Sequence, residues 1–175
     1  ATGKHISYIR QPENKYSLNS NSIYDLMEDR QGNIWIGTYF GGVNYIEANT
    51  TSFKVYKSTG SVHSLSSNII SDIVEDDMKN LWIGTEAEGL NYFDREKQQF
   101  SNITSDESDN RKLNSNLVKS LVIDKKQNVW VAMHGGGVNL LDRNGRKLSE
   151  FGHMKGGNSI RSNDVVALLI DSFQN

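Results

Sequence analysis

The chain has 175 residues, of which 36% are hydrophobic and 23% charged, and its formal net charge is −2. This is the composition of a folded domain, and without a basic excess we expect no nucleic-acid partner. The absence of cysteine excludes disulfides, thiol catalysis and cysteine-type zinc sites. No apolar run approaches the ~20 residues that cross a bilayer, so we expect no membrane contact by this segment.

Three tryptophans mark an internal repeat, because they are separated by 47 and 48 residues (35 to 82 and 82 to 130). The segments around them read NIWIGTYFGGVNYIE, NLWIGTEAEGLNYFD and NVWVAMHGGGVNLLD. Further Asp and Asn residues recur at fixed distances from the tryptophans. The repeated positions are Trp35, Trp82, Trp130, Asp29, Asp76, Asp124, Asp171, Asn44, Asn91 and Asn139, with Asn21, Asn68, Asn116 and Asn163 upstream.

In chain order, each repeat predicts four short strands, which in the first copy cover residues 23–29, 34–38, 43–46 and 53–56. The turn between the first two strands reads DRQGN, DDMKN or DKKQN. Asp folds its carboxylate onto a nearby backbone N–H, and Gly or Asn accepts a positive φ. The first strand has a mixed apolar pattern, which predicts that it is buried on both faces.

A four-stranded unit of ~40–50 residues with one Trp is typical of a β-propeller blade. We therefore predict an all-β fold, a partial β-propeller of about three and a half four-stranded blades. The segments are 1–16 (last strand of a preceding blade), 17–63, 64–112 and 113–158 (three whole repeats) and 159–175 (first strand of a following blade). The two open blade faces predict self-association, or sensor dimerisation, through faces or edge strands.

The motif D-x-x-G-N-x-W-x-G-T-x-x-G-G-x-N, from Asp29 to Asn44, resembles the two-component regulator propeller repeat. The later copies depart from it at Lys79, Glu88, Gln127, Ala132 and Met133. The resemblance implies a hybrid two-component system of Bacteroidetes, anchored in the inner membrane, with periplasmic propellers and a histidine kinase in other domains. It also implies that the stimulus is an oligosaccharide and that this fragment is non-catalytic and needs no cofactor.

Positions that differ between copies at one structural place are the better candidates for ligand binding, whereas invariant positions serve the scaffold. The turn between the second and third strands is such a place. Its residues include Tyr39, Phe40, Glu86, Glu88 and His134. Aromatic rings stack on sugar faces, and Glu and His hydrogen-bond hydroxyl groups. The other interpretation is that these turn residues vary because nothing constrains them.

Catalytic interpretations find less support in the sequence. Glu86 and Glu88 are neighbouring carboxylates of the kind that glycosidases use, but they lie in one turn, which favours a solvated acidic turn. The four histidines show no metal-ligand spacing, so we predict no metal site. Two alternatives to a sensor stay open: a non-catalytic protein-interaction scaffold, and a fragment of a propeller polysaccharide lyase or glycosidase.

Overall fold

The computed structural model describes residues 6–106, 108, 110–153 and 159–171. Parts of the predicted flanking segments (1–5 and 172–175) and of the third repeat (154–158) lie outside the described residues. The described residues form twelve β-strands and no helix. The strands make three separate four-stranded sheets, in which all pairings are antiparallel and neighbours in sequence are neighbours in space. The predicted all-β partial propeller is confirmed.

Each sheet is one blade. Blade 1 contains β1 (Ile23–Glu28), β2 (Ile34–Thr38), β3 (Gly42–Ile46) and β4 (Phe53–Tyr56). Blade 2 contains β5 (Ile70–Glu75), β6 (Leu81–Thr85), β7 (Leu90–Asp94) and β8 (Gln99–Ile103). Blade 3 contains β9 (Val118–Ile123), β10 (Val129–Met133), β11 (Gly137–Leu141) and β12 (Lys147–Phe151).

The turn between the first two strands folds onto its Asp. In blade 1, Asp29 Oδ1 accepts the backbone N–H groups of Gln31 and Asn33, both at 2.9 Å. Asp76 and Asp124 accept the equivalent pairs of N–H groups in blades 2 and 3. Lys79 and Gln127 replace the turn Gly and still adopt φ values of 67° and 63°. These departures therefore change the residue and leave the shape of the turn intact.

The core lies between the blades. Trp35 and Trp82 are each 2% exposed and belong to apolar clusters with side chains of the following blade. The close approach of adjacent blades depends on the glycine two positions after Trp35 and after Trp82. A Cβ built at Gly37 or Gly84 would lie 2.7 Å from a methyl carbon of Ile70 or Val118. The first strand of each following blade thus packs directly against the second strand of the preceding blade.

One expectation about blade edges is corrected, and the assignment of the terminal segments to flanking blades stays a prediction. The first strand β1 is not buried on both faces, since Leu26 is 64% exposed while the equivalent Ile73 of blade 2 is 3% exposed. The reason is that no blade packs in front of β1 among the described residues. Residues 6–9 and 165–171 adopt no regular strand, because a first or last strand pairs only within its own blade. Segment 165–171 still docks on blade 3, where Val165 N–H donates to Met133 O at 3.1 Å.

Candidate functional site

The predicted turn residues occupy equivalent places on one face of the blades. After each second strand, the next residue donates its backbone N–H to the loop that precedes the first strand of the same blade. The three bonds are Tyr39 N to Ser22 O (3.0 Å), Glu86 N to Ile69 O (3.2 Å) and His134 N to Leu117 O (2.9 Å). We call this face the turn face.

The turn face is held together by contacts that repeat at each joint, which is the place where one blade meets the next. Gly42, Gly89 and Gly137 donate their N–H groups to the carbonyl oxygens of Asn68, Asn116 and Asn163, the repeated Asn that precedes each following blade. The side chains of these Asn residues accept the N–H groups of Ser58, Ser105 and His153. A second Asn set is buried inside the blades. Asn44, Asn91 and Asn139 accept the N–H groups of Asn19, Ser66 and Asn114.

Two of the candidate side chains contact the element that follows their own blade. Glu86 of blade 2 lies 2.7 Å from Lys119 Nζ of blade 3, and both side chains are more than two-thirds buried. His134 Nδ1 lies 3.0 Å from Asp164 Oδ1, which also accepts the N–H of Gly135 at 2.8 Å. The polar groups of these two turns are thus engaged at the joints. Glu88 is exposed and donates its N–H to Thr85 Oγ1 at 3.1 Å.

In blade 1 the same turn carries aromatic rings. Tyr39 and Phe40 have ring centroids 4.1 Å apart, and Tyr39 stacks on Tyr24 of β1 with a centroid distance of 5.1 Å. Tyr24 was missed by the sequence analysis, which treated β1 only as a buried strand. The signal was available, since its equivalents Ser71, Lys119 and Val166 vary as the turn residues do.

A second interface lies at the opposite end of the first two strands. Arg95 of blade 2 reaches back to blade 1, where its Nη2 lies 2.7 Å from Asp29 Oδ2 and its guanidinium covers the Trp35 ring at 4.7 Å. Burial alone would raise the pKa of Asp29. Hydrogen bonds from Trp35, Asn33 and Arg95 outweigh that effect and hold the pKa well below its usual range.

Two aspartates link the first strands of adjacent blades. Asp25 Oδ2 accepts the backbone N–H of Ile73 at 2.8 Å, and Asp72 Oδ2 accepts that of Leu121 at 2.7 Å. The two carboxylates are close, because Asp72 Oδ1 also accepts the Ile73 N–H at 2.8 Å. Burial and the nearby Asp72 raise the pKa of Asp25 to about 6, and burial also raises the pKa of Asp72.

Two clefts border tryptophans. A cleft of about 450 Å³ borders Trp35 and is lined by Tyr45, Tyr56 and Arg95. A cleft of about 250 Å³ borders Trp82 and is lined by Arg111 and Arg143.

Within the described residues, no three His, Cys, Asp or Glu side chains are placed to hold a metal ion. The same part of the chain contains no helix that could span a membrane.

The repeated joints and the Trp-centred turns define a β-propeller built from sequence repeats. The model of the two component regulator propeller family matches residues 17–40 and 64–87. The matched residues cover the first two strands of blades 1 and 2, which are thus similar to two-component regulator propeller repeats, and the third repeat aligns with them in sequence. No curated protein sequence matches the chain.

Solved structures show the same fold. The chain is similar to the extracellular domain of a protein described as a hybrid two component system from B. thetaiotaomicron, with a TM-score of 0.80, 24% identity and coverage of 97% of this chain and 23% of that one. It is also similar to the extracellular domain of a one component system from the same organism (TM-score 0.71, 21% identity, coverage 90% and 20%). Virginiamycin B lyase from Staphylococcus aureus has a TM-score of 0.65 at 10% identity, with coverage of 87% and 47%. The chain spans about a quarter of the length of the two B. thetaiotaomicron domains.

Proposed function

We propose that the chain is a non-catalytic part of the ligand-sensing β-propeller of a hybrid two-component sensor, which lies on the periplasmic side of the inner membrane and responds to oligosaccharides. The observation that carries this proposal is the match of two blades to two-component regulator propeller repeats. The likeness to extracellular domains of bacterial regulatory systems supports it. The kinase chemistry belongs to other domains of the parent protein.

The turn face is the proposed contact surface. Tyr39 and Phe40 offer ring faces, and Glu86 and His134 offer polar groups that already join neighbouring blades. A ligand that competes for these interblade pairs changes the contacts between blades as it binds. Binding that favours one arrangement of the sensor subunits over another would bias the kinase between two states.

The test is isothermal titration of neutral and acidic oligosaccharides into the complete propeller region that contains these blades. Tyr39→Ala, Glu86→Ala and His134→Ala are measured in parallel, with Glu96→Ala, an exposed acidic residue elsewhere on blade 2, as the control. We expect the three turn variants to weaken binding and the control to leave it unchanged. If no oligosaccharide binds while another ligand class still induces the kinase response, the proposal is wrong.

A protein-interaction scaffold is the second candidate, and the outer faces of the first and last blades expose apolar side chains. Leu26 on blade 1 is 64% exposed, and Leu148 on blade 3 is 54% exposed. These faces also support the proposal that the isolated chain self-associates, which sedimentation of a clean monomer would contradict. The alternative of a polysaccharide lyase or glycosidase is tested by an assay for sugar cleavage by the complete region. Cleavage would replace the sensor proposal with an enzyme.

A further inference from the structure

The first strands of adjacent blades are joined by a side-chain contact that recurs once per repeat. Asp25 and Asp72 each accept a backbone N–H group from the first strand of the following blade, at 2.8 and 2.7 Å. Ser120 stands at the equivalent position of the third repeat and accepts the N–H group of Leu168 at 3.2 Å. The scaffold therefore requires a hydrogen-bond acceptor at this position but not a negative charge.

Asp25 and Asp72 converge on a single donor. Asp25 Oδ2 and Asp72 Oδ1 both lie 2.8 Å from the backbone nitrogen of Ile73, which carries only one hydrogen. Both side chains are partly buried, and burial disfavours the charged form of a carboxyl group. A proton on one of the two carboxyl groups would supply a second donor and remove the repulsion between two like charges.

Among the described residues, no cationic side chain offsets the charge of this pair. The other ionisable residues on the strands that pack around it (β1, β2, β5, β6 and β9) are Tyr24, Glu28, Glu75 and Lys119. Lys119 is engaged by Glu86 on the turn face, and Glu75 is engaged by two arginines at the opposite end of the blades. The negative charge of the pair is therefore offset most simply by a proton.

We infer that Asp25 and Asp72 share one proton at the joint between blades 1 and 2 and release it as pH rises, so that this joint is held more tightly in acid than in base. The proton comes from water and returns to it, and no other reactant takes part. The inference goes beyond the proposed function, because it assigns the region a response to protons that needs no oligosaccharide. A region outside the cytoplasmic membrane, as proposed above, meets the pH of its surroundings directly.

The direction of the pH effect follows from the raised pKa values of the pair. Burial and then the nearby Asp72 raise the pKa of Asp25 to about 6, and burial raises the pKa of Asp72. A carboxyl group whose pKa is higher in the folded chain than in the unfolded chain stabilises the fold at low pH. That contribution is lost as pH rises through the folded pKa, which is the range in which the shared proton leaves.

The test follows each carboxyl group directly, in the complete propeller region that contains these blades. Aspartate is labelled with ¹³C at Cγ, and the NMR signals of the pair are identified by their disappearance in Asp25→Asn and in Asp72→Asn. Asp72→Ser installs the residue of the third repeat. Asp106→Asn changes an exposed aspartate in the loop after β8 and serves as the control. Urea unfolding at pH ~5 and pH ~8 compares the same proteins and the double variant.

We expect the pair to titrate in two separate steps in the wild type, because interacting groups lose their protons one after the other. In Asp72→Asn and Asp72→Ser the pKa of Asp25 should fall, since the neighbouring charge is gone while the burial remains. Between pH ~5 and pH ~8, the folding equilibrium constant of the wild type should fall about fivefold more than that of the double variant, once screening by solvent is allowed for. The control should behave as the wild type does in both measurements.

Three results would overturn the inference. An Asp25 titration that is the same in the wild type and in Asp72→Asn would show that burial acts alone and that no proton is shared. Equal pH dependence of the wild type and the double variant would show that the pair does not control the joint. If the variants do not fold, the wild type still decides, because two aspartates that both titrate near pH ~4 cannot hold a common proton at pH ~5. None of these results bears on oligosaccharide binding, which the sugar titration tests separately.

Discussion

Arg95 is the side chain that most directly joins blade 1 to blade 2, and Arg95→Met should destabilise that joint. The substitution keeps an apolar chain over Trp35 and removes the charge that faces Asp29. The chain provides its own control, because Arg143 stands at the same repeat position in blade 3. Arg143 pairs with Asp77 at 3.2 Å, and the two side chains are 49% and 45% exposed.

The difference in burial between the two ion pairs determines how much stability each substitution should cost. The side chains of Arg95 and Asp29 are 15% and 0% exposed, and removing one partner of a buried pair costs about 3–5 kcal/mol. Two features place the loss for Arg95→Met at or just below the low end of that range, about 2–3 kcal/mol. Asp29 keeps donors from Asn33 and Trp35, and the substitution removes Arg95 Nε, which is buried without a hydrogen-bond partner. An exposed pair such as Arg143 and Asp77 contributes less than ~1 kcal/mol.

Urea unfolding followed by tryptophan fluorescence measures both variants, and Trp35 reports directly on the joint. We expect Arg95→Met to lose at least ~1 kcal/mol more than Arg143→Met. Equal losses, or a larger loss for Arg143→Met, would show that the buried arrangement of Arg95 and Asp29 does not stabilise the joint.

Two further predictions concern a carboxylate and a glycine. The pKa of Asp25 is raised to about 6 from 3.8, so this group contributes stability that is present below pH ~4 and is lost as pH rises through 6, by about 1–2 kcal/mol once screening by solvent is allowed for. Asp25→Asn should reduce the fall in stability between pH 4 and 7, and an unchanged fall would contradict the assignment. A Cβ at Gly42 (φ 75°) would lie 2.3 Å from Tyr56 O, whereas at Gly60 (φ 78°) it meets nothing within 4 Å. Gly42→Ala should therefore cost ~2 kcal/mol more than Gly60→Ala in urea unfolding, where only the ~1 kcal/mol conformational cost applies, and equal costs would refute the clash.

The sequence predicted the blades because the same pattern of residues occurs in several copies, each of which forms the same local structure. The Asp at the first turn, the Trp and the glycines recur at fixed spacing, and each has a physical role that can be stated for one copy and checked in the others. What the repeat could not predict is which partner a side chain selects across a joint. Arg95 and Arg143 share a position, yet one reaches the buried Asp29 and the other the exposed Asp77.

For the candidate site, too, the sequence could not predict contacts between blades. Variation between copies identified Tyr39, Glu86 and His134 but could not distinguish a side chain that faces solvent from one engaged by the next blade. Glu86 is engaged by Lys119 of the next blade, and His134 by Asp164 of the segment that follows blade 3. The sequence does not encode locally how these following elements are oriented. Tyr24 was missed for a related reason, since a β-bulge interrupts the alternation by which strand residues are assigned to faces.

The joints also explain how one scaffold can carry different turn residues. The repeated contacts at the turn face are made by backbone groups and by Asn side chains, as in the bonds from Gly42 to Asn68 and from Gly89 to Asn116. Side chains at the turn itself contribute little to these bonds, so they can change from aromatic to acidic to imidazole while the blades keep their register. Tyr39→Ala should therefore alter ligand binding without altering the fold, whereas Gly42→Ala should destabilise the fold itself.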